Sequence, residues 1–192
     1  LVDLSAAAMV LNLNSGGLLS NAQNLTIPNT FNIGTATLSG PGLFTTPAGS
    51  ITTMDDPTIT NLAWLNQGIV NWIPINTSTS DFTLNTATFT NQGTLLLQNL
   101  NAGSTVFTAG GGTLINDVTG IINANPTTNL TISTVFTNNA TTGFFNTLSG
   151  TTQLNNAANT NQGNINIGTG STLQVGVGDA LVLNTNTSFA GS

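Results

Sequence analysis

The sequence predicts an all-β protein, one parallel β-helix (β-solenoid) with about 22–25 residues per coil. Three observations carry this. First, roughly a third of the chain is Asn or Thr. These, with Gly, are weak helix formers, while Thr suits strands and Asn and Gly suit turns. Second, one phrase recurs as "AWLNQGIVNWI", "TFTNQGTLLLQN", "TLINDVTGIIN", "VFTNNATTGFFN" and "NTNQGNINIG". Third, its asparagines Asn66, Asn91, Asn116, Asn138 and Asn161 return at a nearly constant interval, the mark of a stacked-repeat architecture.

Each unit holds two or three short apolar–polar alternations divided by Asn, Gly and Thr, the signature of strands and tight turns. A second series of apolar markers, Phe82, Val106, Leu130 and Leu154, keeps an even step of the same size. A coil of this length accommodates three strands and three turns. Stacked at about 4.8 Å per coil, the chain would make roughly eight coils and a rod of about 35–40 Å. Inward positions should form an apolar ladder, with Leu95 and Leu97 above Ile69 and below Ile121 or Ile122. The recurrent Asn and Gly are expected to turn a corner in the left-handed backbone region. Stacked asparagines would also hydrogen-bond along the rod as an amide ladder.

The first sixty residues repeat less clearly and read as irregular N-terminal coils or a cap, with regular coils over 61–192 in a single domain. "LFTTPAGSITTM" aligns with "TFTNQGTLLLQ" with an insertion, placing a coil near Thr46. "MDDP" at Met54–Pro57, with Pro28, Pro41 and Pro47 before it, suggests interrupting loops.

Composition excludes several function classes. There is no Lys, Arg, His or Cys, and the net charge is −6. Nothing can neutralise phosphate, so nucleic acid and anionic membrane surfaces are poor partners. No apolar run approaches the ~18 residues of a membrane span, so no membrane insertion is expected. Disulfides, thiolate metal sites and Ser-His or Cys-His nucleophiles are absent by composition. Disorder is argued against by a mean hydropathy of +0.20 and evenly spread aliphatic residues.

"FTNQGTLLLQ", "NQGNINIGTGSTLQVG" and "LINDVTGIINAN" resemble the degenerate repeats of filamentous haemagglutinin-like adhesins and autotransporter passenger domains of bacteria, over about Leu62 to Leu183. The resemblance implies a right-handed β-helix, secretion and an extracellular, bacterial cell-surface location. The chain departs from it in having no "NPNGI"-type secretion motif and no basic residue.

Catalysis is disfavoured. A polysaccharide lyase needs a basic group, and a hydrolase needs a carboxylate pair at about 5–9.5 Å. The sole adjacent pair, Asp55–Asp56, points to opposite faces if it lies on a strand. No catalytic residue and no cofactor is assigned. Calcium is the one metal to weigh, with Asp55, Asp56 and Asp179 (in "GVGDALVL") as oxygen donors. Trp64 and Trp72 would either fill the core or stack on a sugar. Thr-x-Thr triplets at Thr35, Thr58 and Thr86 raise an ice-binding face, at irregular spacing.

The remaining feature is what would cap the rod. Soluble solenoids blunt their terminal edges with Lys, Pro, loops or a helix, and no Lys exists here. Two arrangements follow. The chain is part of a longer β-helix, or its edges pair with identical subunits, head to tail or edge to edge, as a homopolymer. The expected role is a structural, self-associating subunit or segment of a bacterial surface filament, sheath or layer. An adhesin presenting its rod to cell-surface glycan is the alternative, and a polysaccharide-acting enzyme the third reading.

Overall fold

The computed structural model describes residues 9–20, 22–74, 81–99, 105–107, 109–184 and 188–191. They form a β-solenoid of about seven turns, with no helix among the described residues. The laps lay their strands on three faces, always in the same order, one strand per face except in the lap that places both Thr105–Phe107 and Ala109–Gly110 on the second. The first face is a nine-stranded sheet running from Val10–Leu13 to Ser188–Gly191. The third is an eight-stranded sheet from Leu25–Thr26 to Leu181–Leu183. The second is broken into a five-stranded and a four-stranded sheet. All pairings between the named strands of neighbouring laps are parallel, as in Asn66↔Asn91 and Asn91↔Asn116, and an isolated bridge, Asn85↔Gly111, is antiparallel.

Strands form where alternation is strict, because one parity must fill a narrow core. On the first face the inward rank runs Phe31, Thr52, Val70, Leu95, Ile122 and Phe145. On the third it runs Phe44, Trp64, Phe89, Leu114 and Phe136. Here the rings stack as an aromatic column. Phe44–Trp64 centroids lie 5.1 Å apart edge-on, and Trp64–Phe89 lie 4.9 Å apart, the tilted geometry that aromatic quadrupoles favour. Trp64 and Trp72 are both buried. They fill the core, and neither is available to stack on a sugar.

The register corrects two expectations. Leu95 lies between Val70 and Ile122, while Ile69 and Ile121 belong to the opposite parity and face outward. The evenly spaced marker series is not a true column: Thr105 pairs with Leu130, Val106 with Thr131, and Leu154 with Ile132. The region before residue 60 also winds into laps, shorter on the first face than the two that follow Ile69. On the first face Thr30 pairs with Ile51 and Ile51 with Ile69, whereas the next partners are Ile69 with Thr94 and Thr94 with Ile121. A single period fitted to the later laps passes over these shorter ones. The segment 1–8, suggested as part of an N-terminal cap, lies outside the described residues, as do Asp3 and 185–187.

The longest lap is where the second face breaks. Ala109–Gly110 pairs back to Thr83–Asn85, whereas Thr105–Phe107 pairs forward to Asn129–Ile132. The extra residues let the chain step sideways at Gly110–Gly112 and restart its register.

The last described lap leaves its core open. Phe189 continues the inward rank over Ile165 yet is 53% exposed, and Leu183, which pairs with Asn161, is 51% exposed. Among the described residues no helix is long and apolar enough to cross a membrane.

Candidate functional site

The dominant polar feature of the interior is the corner between the third face and the first. Asn66, Asn91, Asn116, Asn138 and Asn161 stand there in register, all fully buried. Each of the first four donates its amide forward to the next. Asn66 Nδ2 reaches Asn91 Oδ1 at 2.8 Å, and Asn91 reaches Asn116 at 3.0 Å. Asn116 reaches Asn138 at 2.9 Å, and Asn138 reaches Asn161 at 2.6 Å. The second amide hydrogen of these four goes to a backbone carbonyl on the following lap, Thr94, Ile121, Phe144 and Asn164 in turn, at 3.1–3.2 Å. At the N-terminal end Trp64 Nε1 donates to Thr46 Oγ1, which donates to Asn66 Oδ1, both at 3.0 Å. Aligned amides in a dry core polarise one another, so this column is worth more than its separate bonds.

The turn after each Asn varies in length without disturbing the column. It is Gln67–Gly68, Gln92–Gly93, Asp117–Gly120, Asn139–Gly143 and Gln162–Gly163. A glycine always closes it. The reason is proximity, which corrects the expected left-handed turn: none of these five glycines, and none of the five asparagines, has positive φ. A Cβ on Gly93 would overlap the carbonyl oxygen of Gly68, and one on Gly143 that of Gly120. Glycine here lets consecutive laps approach at full strand pairing. Just outside the asparagines a shorter column runs in step, Gln67 Nε2 to Gln92 Oε1 at 3.2 Å and Gln92 Nε2 to Asp117 Oδ2 at 2.9 Å.

The left-handed corner exists elsewhere, between the second face and the third. The register places Gly40, Asn61 and Thr86 just beyond Ser39, Thr60 and Asn85, with φ of 121°, 51° and 50°. Gly111, φ 79°, continues it in the next lap beside the Thr86 methyl. Thr86 is the misfit, since a β-branched residue is strained there; its hydroxyl donates to Asn61 Oδ1. Thr86→Asn keeps a stacking polar group and tolerates the conformation. It is expected to raise stability by about 0.5–1 kcal/mol, read as a higher denaturation midpoint in urea. Thr86→Val, branched and without a donor, should lower it.

The acidic residues do not converge. Asp55 and Asp56 follow strand Ile51–Met54, and Asp179 lies in a turn near the far end of the rod. Among the described residues no group of three acidic side chains could hold a metal ion. The pairing that does form is invisible to adjacency in sequence: Asp81 stands one lap after Asp56, as the Thr58↔Thr83 register dictates. That step equals the one from Asn66 to Asn91, so the ladder's own spacing contained the signal. Burial, then the Asp56 carboxylate, pushes the Asp81 carboxyl above its ordinary 3.8. The folded state therefore holds this proton more tightly than the unfolded chain. Ionised Asp81 costs stability above its folded pKa, and the cost disappears as pH falls to the ordinary value. Asp81→Asn should raise Tm near pH 7 and change it little below about pH 3; a lower Tm near pH 7 would contradict the assignment.

Thr triplets at Thr35 and Thr86 straddle corners, and Thr58–Thr60 is a strand of the second face. Thr88 and Thr90 lie on the third face beside Ala63 and Leu65 of the preceding lap. Thr37 of the first triplet pairs with Thr58 of the second, and Thr58 with Thr83, a short threonine rank on the second face, while the triplet at Thr86 lies across the next corner and does not join it.

Fold and corner together define a β-solenoid repeat protein with an internal amide ladder. No family model matches the chain, and comparison with curated proteins and with solved structures returned no match.

Proposed function

We propose that the chain is a structural element, a self-associating subunit or segment of an extracellular bacterial filament, sheath or layer of the filamentous haemagglutinin-like kind. The observation that carries this reading is the continuous stack of parallel laps, nearly free of charge, whose strand edges can take up a further lap. Phe189 and Leu183 occupy inward ranks with no further lap over them among the described residues. A further lap, from the same chain or from another copy, would bury these side chains and pair the exposed strand edge. The charge content agrees. Six Asp and no base leave little to oppose contact between copies, and nothing that blunts an edge as Lys does. The surface glycan expected for an adhesin has no tryptophan to stack on among Trp64 and Trp72.

Negative-stain microscopy of the purified chain, with fibre diffraction, tests the proposal. Regular fibres with an axial repeat of about 4.8 Å are expected. A monodisperse monomer at high concentration would overturn it.

A further inference from the structure

Across its four-residue strands the outward surface of the first face carries two ranks, and over the central seven strands both read nearly the same from either end; only the outermost strands differ, with Val10 opposite Ser188 and Asn12 opposite Ala190. The centre is strand Thr94–Asn99, fifth of the nine. In the first rank Thr94 is central, with Ile69 and Ile121 one lap away on either side. Ile51 and Phe144 follow, then Thr30 and Asn164. Ile51, Ile69 and Phe144 are 43%, 41% and 41% exposed. The second rank centres on Leu96, flanked by Asn71 and Asn123, then Thr53 and Asn146, then Asn32 and Asn166. No charged residue stands in either rank.

We infer that this face pairs with the same face of a second copy, about a two-fold axis that runs along strand Thr94–Asn99. A closed two-fold interface must be self-complementary. This axis sets Ile69 against Ile121, Ile51 against Phe144, and Thr30 against Asn164, apolar on apolar and polar on polar. In the second rank it sets Leu96 on its own copy and, over the three strands on either side, polar against polar, where Asn can both donate and accept. The two rods are then antiparallel. A two-fold along the rod axis instead lays the isoleucines over the other copy's asparagines and buries amides without partners. The seven matched strands of four residues cover about 34 by 13 Å, or about 900 Å² counted over both copies, and the outermost strands bring the total to about 1,000 Å². That is the lower bound for a specific interface, so the pair is concentration-dependent. This lateral pairing does not require axial growth.

The chain has no cysteine, so one substitution supplies the sole thiol. Thr94→Cys lies on the axis and should cross-link copy to copy with a short bismaleimide, well above Ala63→Cys on the third face. Thr30→Cys should not cross-link alone but should cross-link when mixed with Asn164→Cys. In sedimentation, Ile69→Lys should give the monomer at concentrations where the parent pairs, with an unchanged far-UV spectrum. The inference is overturned if Thr94→Cys links no better than Ala63→Cys, or if Thr30→Cys links to itself. Fibres that form without Thr94→Cys cross-linking also overturn it while leaving axial growth intact. Cross-linked pairs that never elongate support it and count against the axial reading.

Discussion

Asn91→Leu is expected to destabilise the rod by about 3–5 kcal/mol. The substitution takes both donors away from the Asn116 amide oxygen and from the Gly93 and Ile121 carbonyls. It also takes the acceptor from Asn66 Nδ2. Each buried group left without a partner costs about 1–3 kcal/mol, offset in part by the apolar replacement. For a chain of this size the fall in Tm is about 6–20 °C. Gln92→Leu, one residue along and outside the core, should cost within about 0.5 kcal/mol. Asn91→Asp is a sharper version. It retains an acceptor, loses both donors and buries a charge, so it should be worst near neutral pH and partly recover in acid as the carboxyl protonates. An Asn91→Leu protein melting within about 2 °C of the parent would show that the amide column contributes little.

Gly93→Ala is the second large effect, and its cause is steric. The added methyl meets the Gly68 carbonyl oxygen, backbone that cannot swing aside. Overpacking of this kind costs about 3 kcal/mol, here by forcing two laps apart along a paired edge. Gly49→Ala is the informative contrast. Gly49 has φ of 86° with nothing within 4 Å of the added carbon, so its cost is conformational strain alone, about 1–2 kcal/mol. Chemical denaturation should rank Gly93→Ala as the more damaging. The reverse order would mean that the corner glycines serve backbone conformation and not close approach.

These contrasts mark which parts of the fold the sequence exposes. The asparagine corner is legible because its requirement is chemical: a side-chain amide has two donor hydrogens and an acceptor, so it can accept from one lap while donating both to the next amide and to a backbone carbonyl. The column therefore writes the same letter once per lap even when the turn grows from Gln92–Gly93 to Asn139–Gly143. The aliphatic ranks carry no such constraint. Any side chain of suitable bulk fills them, so Phe31, Val70 and Leu95, and even Thr52, share a column without sharing a letter, and the even series through Val106 and Leu154 is an accident of composition. Parity at Ile69 and Ile121 is hidden for a related reason. Each is apolar and follows the corner glycine, where the first strand residue faces out; the corner, not hydrophobicity, sets the parity.

The early laps are obscured by length and by substitution in the column. Thr46 stands where later laps have Asn, and it works there because a hydroxyl can accept from Trp64 and donate to Asn66. The relation of Asp56 to Asp81 is masked by the more conspicuous neighbour, Asp55. In a solenoid the neighbour that matters chemically is one lap away. The outward ranks of the first face emerge only once register is known, since their symmetry is a property of stacked laps and not of any single stretch.

Engineered disulfides measure the lap directly. Gln67, Gln92 and Asp117 are stacked on consecutive laps at about 4.8 Å per step, and a disulfide closes over Cα separations of about 4.4–6.8 Å. The double variants Gln67→Cys/Gln92→Cys and Gln92→Cys/Asp117→Cys should therefore oxidise within one chain. Gln67→Cys/Asp117→Cys, about 9.6 Å apart, should stay reduced or link only between chains. If the 67–117 pair closes as readily as 67–92, or if neither adjacent pair closes, the chain does not wind with these residues one lap apart.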